Sequence, residues 1–166
     1  WPLDQETYGG SFLYHLSKNL VSVGFVIGLD YKNPYISPYD EFQRFKTHPF
    51  VKKIFDGGRR ISYGARALNE GGWQSLPKLS FPGGALVGCD AGTLNTPKIK
   101  GTHTAMKSGM IASSEVFNEL SLGQKNSEIT HYQKNFVNSW AGIELKKARN
   151  VRPSFKYGMK IGMVLT

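Results

Sequence analysis

The sequence predicts an α+β fold, β-rich in its first half and helical in its second, on three observations. Two apolar runs rich in β-branched and aromatic residues stand back to back between Ser11 and Asp30. Two long segments of helical periodicity fill most of the chain after Thr102. The elements come in blocks, without the strand–helix alternation of a doubly wound sheet, and no internal repeat is visible.

In order, SFLYHLSKNLVSVGFVIGLD (11–30) reads as a β-hairpin turning at Ser17-Lys18-Asn19. After Pro34 and Pro38, YDEFQRFKTHPFVKKIF sets Phe42, Phe45, Phe50 and Ile54 at helical spacing around Pro49, predicting an interrupted helix pair. Arg59 to Leu68 reads as a further strand, ended by Asn69-Glu70-Gly71-Gly72. Ala85 to Gly88 reads as a short buried strand, followed by a turn-rich stretch from Cys89 to Lys100. A helix is predicted from Thr102 to Leu120 with Met106, Met110, Ser113, Phe117 and Leu120 as its apolar stripe. A second, from Ser127 to Ala148, places Ile129, Tyr132, Phe136, Trp140 and Ile143 on one face.

Composition narrows the function classes. Lys and Arg number 21 against 12 acids, a formal +9 over 166 residues, which favours an anionic partner: nucleic acid, anionic lipid or an acidic protein. The cations are scattered and then gathered toward the end without stacking aromatics in register, which counts against nucleic acid. The single cysteine, Cys89, excludes a disulfide framework, a thiolate zinc site and a four-thiolate iron–sulfur cluster carried by this chain alone. The apolar stretches are too short to cross a bilayer. A start at Trp1 without methionine and an end inside an apolar run read as a processed or truncated chain.

The segment with most chemistry is Leu86-Val87-Gly88-Cys89-Asp90-Ala91-Gly92, continuing to Gly101-Thr102-His103. A strand ending in a carboxylate leads through a glycine-bearing loop to a helix start, where unpaired N–H groups and the positive dipole end meet. Such a place suits a flavin: Asp90 would accept from a ribityl or ribose hydroxyl, and the helix start would stabilise negative charge on the reduced pyrimidine ring. As a bare pattern a glycine–aspartate turn after a strand is also common structural punctuation.

The longer string GCDAGTLNTPKIKGTHTAMKSG resembles the second FAD-binding motif of glutathione-reductase-like flavoproteins, in the version found in electron transfer flavoprotein-ubiquinone oxidoreductases. The resemblance extends through WPLD, TYGGSFLYH, GLDYKNPY, SPYDEFQRFK, GGRRISYGARALNEGGWQSLPKLSFPGG and NVRPS. It implies part of an FAD domain together with part of an inserted β-rich quinone-binding domain. Residues 1–68 would be the rear of the quinone domain, 69–122 an FAD-domain segment, and 123–166 a helical segment leading to a membrane-surface element. The implied partners are electron transfer flavoprotein, ubiquinone and the membrane surface, with no nucleic acid. The implied cofactors are FAD and a 4Fe-4S cluster whose ligands, like the GxGxxG fingerprint, are absent here. Attachment would be peripheral, to the matrix side of the mitochondrial inner membrane in a eukaryote or the cytoplasmic membrane in a bacterium.

The resemblance maps Tyr8, Gly9 and Gly10 onto the stretch beside the quinone ring, where glycines bring N–H groups up to a carbonyl and a phenol donates another hydrogen bond. Without it, these residues would read as a turn before a strand. The cofactor-binding candidates are Asp90, Gly92, Gly101, Thr102 and Asn69. Some family members carry a small hydroxyl residue at the position of Asp90, whereas the wider flavoprotein class uses aspartate. Asn69 either touches the cofactor or ends a strand, and Thr102 either caps its helix or touches the flavin. His103 reads as a capping or packing histidine and not a proton donor, and Cys89 as a small packing residue. The tail 149–166 reads as a buried terminal helix or an interfacial element, and the phenylalanines from Phe42 to Phe55 as core or membrane-facing surface.

The implied activity is that of an electron-transferring-flavoprotein dehydrogenase, with the isolated chain inactive. Rival readings are a FixC-type or geranylgeranyl-reductase-type flavoprotein, and a non-catalytic structural subunit derived from the family.

Overall fold

The computed structural model describes residues 1–165, excepting the side chains of Met159 and Leu165. It divides into two compact units, Trp1–Gly64 and Ala65–Thr166. The architecture is mixed helix and small antiparallel sheets, the α+β class that the sequence predicts.

In the first unit, β1 (Gly9–Leu16) and β2 (Leu20–Ile27) form the expected hairpin, in register from Gly9↔Ile27 to Leu16↔Leu20. Lys18 and Asn19 both take left-handed backbone, φ 60° and 57°, and the Leu20 N–H returns to the Ser17 carbonyl at 3.4 Å. Two consecutive positive φ values give the turn whose twist matches a hairpin, and asparagine tolerates that region best among residues with a side chain. The Phe12 ring lies over Gly24, where a Cβ would be.

Helix α1 (Pro38–Lys46) is specified at its start by Ser37, which caps the Asp40 N–H, and by Pro38 in the first turn. Asp40 and Glu41 sit near its N-terminus and Arg44 and Lys46 near its C-terminus, complementing the dipole. Pro49 then opens α2 (Pro49–Phe55). Phe42 and Phe45 pack on Phe25 of β2, with ring centroids at 6.3 and 5.4 Å. Phe50 is left 74% exposed, so the phenylalanine cluster divides between packing and open surface.

The strand expected at Arg59–Leu68 does not form; these residues are irregular and exposed. Their composition favours extended backbone, but a strand exists only where a neighbour takes its N–H and C=O groups. Among the described residues no strand pairs with them, and the boundary between the two units falls inside this segment.

The second unit holds the large buried side chains, led by Tyr132, Phe136, Leu79 and Leu145. Strands β3 (Ser80–Phe81) and β4 (Gly84–Ala85) form a minimal hairpin. Of the short buried strand expected at 85–88 only Ala85 lies in β4; Leu86 adds one backbone bond to Leu79, Val87 is exposed, and Gly88 opens a 3₁₀ turn over Gly88–Ala91. Helix α3 spans Thr102–Ser121, close to its predicted range. The helix predicted over 127–148 is two helices, α4 (His131–Asn138) and α5 (Trp140–Lys147). Ser139 breaks them with ψ 163°, and its hydroxyl caps α5 by accepting the Gly142 N–H at 3.4 Å. Ile129, Tyr132 and Phe136 are buried as predicted, but the break rotates α5, so Ala141, Gly142 and Leu145 are buried while Trp140 and Ile143 are about half exposed.

The stripe assigned to α3 is also corrected. Met106, Met110, Phe117 and Leu120 are all more than half exposed, and the buried face is Thr104, Ser108 and Ala112. Small residues at i, i+4 and i+8 let neighbouring backbone approach closely, which a stripe of long apolar side chains would prevent.

The tail forms α6 (Val151–Ser154), a 3₁₀ turn (Phe155–Tyr157) and α7 (Met159–Leu165). It is not a buried terminal helix, since Tyr157, Ile161, Met163 and Val164 are exposed. The readings placed on Thr166 and on the side chains of Met159 and Leu165 lie outside the described residues. No described helix is long and apolar enough to cross a membrane.

Candidate functional site

The 3₁₀ turn and α3 are built into one another. Gly88 sits at φ 61°, and its N–H donates to the buried Ser108 Oγ at 2.9 Å. The backbone angle favours glycine, and a Cβ on Gly88 would in addition sit tightly, 3.3 Å from the Ala105 Cβ. The Thr93 hydroxyl returns to the Gly88 carbonyl at 3.0 Å, and the Thr104 hydroxyl reaches the carbonyls of Thr93 and Gly101. These buried bonds press the 88–93 turn against the first two turns of α3.

Asn69 joins this turn from 20 residues away: its Nδ2 donates to the Cys89 carbonyl at 2.9 Å and its backbone N–H meets the Cys89 Sγ at 3.4 Å. The side chain is therefore engaged through its amide nitrogen. Cys89 is partly buried and serves as an acceptor in packing. Gly92 closes the turn at φ 75°, donating its N–H to the Cys89 carbonyl at 2.9 Å.

Asp90 and Thr102 are exposed, and neither side chain pairs with a described residue. Of the two readings for Thr102, the capping one falls, because Gly101 is the N-cap and no side chain caps α3. The first-turn N–H groups consequently lack an intrahelical or side-chain partner. Gly101 has φ −132°, which any residue adopts, and a Cβ there would make only ordinary contacts of 3.5 Å with Leu94. Neither conformation nor neighbours demand glycine at 101.

The residues thus fit one edge of a flavin: an open helix start, a small residue beside it, and a free carboxylate on the adjoining turn. They do not fit an iron–sulfur cluster, which takes four thiolates, since the chain has one cysteine and no described group of three or more ligating side chains converges.

His103 faces α5. Its Nε2 meets the Glu144 Oε1 at 2.8 Å and its ring stacks on Trp140, with centroids 5.8 Å apart and planes at 11°. This is the packing role expected of it. Glu144 also accepts from Asn95 Nδ2 and Lys98 Nζ, and bonds from Lys98, then His103, hold its carboxyl at about 2, far below the ordinary range. Sequence reasoning missed Glu144, since its partners lie 41 to 49 residues away and no local pattern links them.

Tyr8, Gly9 and Gly10 lie in the first unit, at the start of the hairpin. The Gly28 N–H donates to the Tyr8 carbonyl at 2.8 Å. Antiparallel pairs alternate between bonded and non-bonded, so Gly10 continues the ladder with Val26, and the N–H of Gly9 points away from β2. A Cβ on Gly9 would overlap the Val26 carbonyl oxygen and the Leu3 side chain, while Gly10 is open.

Comparison with known proteins bears on both units. Residues 1–68 match the family model described as ETF-QO, ubiquinone-binding. The whole chain is 56% identical, over an alignment of 175 residues, to the mitochondrial electron transfer flavoprotein-ubiquinone oxidoreductase of Sus scrofa. It is similar from end to end to electron transfer flavoprotein-ubiquinone oxidoreductases. That is the family to which its motifs point. The protein of that name from Oryza sativa subsp. japonica is 56% identical over 166 residues, and the one from Arabidopsis thaliana 53%. In each case all of this chain is covered, but it spans only 26% to 28% of the relative's length. The names of these oxidoreductases place them in mitochondria, between an electron transfer flavoprotein and ubiquinone.

Proposed function

We propose that this chain is part of an FAD-dependent oxidoreductase that passes electrons from a reduced electron transfer flavoprotein to ubiquinone. Residues 1–68 contribute to the quinone site, residues 69–122 carry one edge of the flavin site, and residues 123–166 lead toward the membrane surface. The observation that carries this reading is the uncapped start of α3 at Gly101, where none of the described residues calls for glycine. The turn bearing the unpaired Asp90 is tied to that same helix by buried hydrogen bonds. End-to-end similarity to oxidoreductases supports the reading.

FAD, when bound, supplies the chemistry that matches a one-electron donor to a two-electron acceptor. The chain's own part is placement and electrostatics. The N–H groups of Thr102 and its neighbours would hold the flavin's pyrimidine edge, because fixed donors need no reorganisation as negative charge builds. Gly101 would admit the ring to the backbone, and Asp90 would accept from a sugar hydroxyl. Asn69 holds the turn through Cys89 and keeps its Oδ1 as the remaining acceptor toward the cofactor. At the quinone, Tyr8 donates from its phenol and Gly9 from its outward N–H to a carbonyl oxygen gaining charge; Gly10 contributes an open approach. The iron–sulfur cluster and the phosphate-cradling fingerprint would have to be supplied from outside this chain. The basic excess and the exposed apolar tail suit peripheral attachment to an anionic membrane face, the matrix side of the mitochondrial inner membrane by analogy with the relatives.

The test is to purify the native protein from its source membrane, then record its intact mass and flavin absorbance and its reoxidation by a short-chain ubiquinone analogue. A flavin-bearing polypeptide larger than 18.5 kDa that the analogue reoxidises is the expected result. A flavin-free native chain of 18.5 kDa would overturn the reading in favour of a structural subunit.

A further inference from the structure

Glu144 gathers side chains that no local rule of sequence brings together. Its Oε1 accepts from Asn95 Nδ2 and meets His103 Nε2, each at 2.8 Å, and its Oε2 accepts from Lys98 Nζ at 2.8 Å. Asn95 and Lys98 belong to a tight turn closed by the Asn95–Lys100 backbone bridge, and the Asn95 Oδ1 also accepts the Lys98 N–H at 3.3 Å. His103 belongs to the first turn of α3 and is held on its flat side by Trp140, one turn before Glu144 on α5. One carboxylate therefore fastens both flanks of a short stretch, and Gly101 and Thr102 are what lies between them.

No side chain caps that end of α3; apart from the Glu144 bonds, the stretch is held through the Gly101 carbonyl, which accepts from the Thr104 hydroxyl at 2.9 Å and the Ala105 N–H at 2.8 Å. From this arrangement we infer that Glu144 is a positioning residue for the flavin edge, holding Asn95, Lys98 and His103 so that the Gly101–Thr102 backbone is set before the cofactor arrives. The inference rests on the flavin reading above. A carboxylate with its acceptor sites occupied from two elements is suited to this, because charge-assisted bonds are shorter and stronger than neutral ones and define a single arrangement. An N–H that must face developing charge gains most when its position is fixed in advance.

The test uses the full-length flavoprotein carrying this segment, as wild type, Glu144→Ala, Glu144→Gln and Lys98→Met. In the FAD-free form, amide hydrogen exchange over residues 95–104 is expected to quicken about tenfold in Glu144→Ala, less in Glu144→Gln and least in Lys98→Met, following the number of charge-assisted bonds lost. FAD affinity should fall about tenfold in Glu144→Ala with a changed visible circular dichroism of the bound flavin, and Glu144→Gln, which keeps one acceptor oxygen, should recover part of both. Lys98→Met removes one exposed donor and carries the comparison if the alanine variant does not fold. Variants that bind FAD with wild-type affinity and dichroism would overturn the inference and leave the flavin reading standing. A wild-type protein that takes up no FAD would overturn the flavin reading, and the inference with it.

Discussion

The amide of Asn69 holds the turn at Cys89 by two bonds, Nδ2 to the carbonyl oxygen at 2.9 Å and the backbone N–H to Sγ at 3.4 Å. A residue at the start of the second unit is thereby tied to the turn that carries Asp90. Asn69→Ala keeps the backbone bond and loses the stronger one. The expected cost is about 1 kcal/mol, read from the midpoint of urea denaturation at unchanged slope. FAD affinity should fall alongside, because the turn then loses its fixed distance from residue 69.

Gly88 and Gly92 separate two reasons for glycine. Both have positive φ, 61° and 75°, but a Cβ on Gly88 also meets Ala105 at 3.3 Å, whereas Gly92 faces open space. Gly92→Ala should cost about 1 kcal/mol from backbone strain alone, and Gly92→Asn less, since asparagine tolerates this region. Gly88→Ala should cost about 1 kcal/mol more than Gly92→Ala, because α3 must give way or the bond to Ser108 must lengthen. Equal losses, measured by denaturation of the FAD-free protein, would mean that α3 moves freely.

Glu144 makes stability depend on acid in a defined direction. Its carboxyl is lowered from 4.5 to about 2, so the folded state binds that proton less readily than the unfolded chain does. The resulting stabilisation is fully present above about 4.5 and disappears as pH falls through that value toward 2. Glu144→Gln should be less stable than wild type at neutral pH and converge on it near pH 2, which thermal unfolding across that range would measure. A constant gap between the two would mean that the bonds from Lys98 and His103 do not persist in solution.

How much of this was legible depended on range. The hairpin, the α1–α2 pair and the extent of α3 follow from neighbours in sequence: Ser17-Lys18-Asn19, the paired prolines, and the run from Thr102. The strand at 59–68 failed because extended propensity supplies no partner. The α4–α5 break was hidden because Ser139 caps a helix as readily as it sits within one. In the site, the 88–92 turn and the α3 start were visible as one motif, while the Asn69–Cys89 and Glu144–His103 links span 20 and 41 residues and leave no local trace.

The exposed and buried faces of α3 give the sharpest contrast. By periodicity Met106, Met110, Phe117 and Leu120 read as its core face, yet each is more than half exposed, and Ser108 and Ala112 are buried in their stead. Ser108 is there because its hydroxyl accepts the Gly88 N–H at 2.9 Å while donating to the Ala105 carbonyl at 2.7 Å, so a small polar side chain completes a backbone that no strand pairs. Ser108→Ala strands that buried N–H and should cost about 1–3 kcal/mol. Ala112→Leu, overfilling the face toward the Tyr132 and Phe136 cluster, should cost a similar amount. Met106→Ser and Phe117→Ser should change the stability of the isolated chain by no more than about 0.5 kcal/mol, as surface substitutions do. Denaturant titrations of these variants decide which face packs. If Phe117→Ser proved as costly as Ala112→Leu, α3 would be rotated by about half a turn, and Gly88 could no longer reach Ser108.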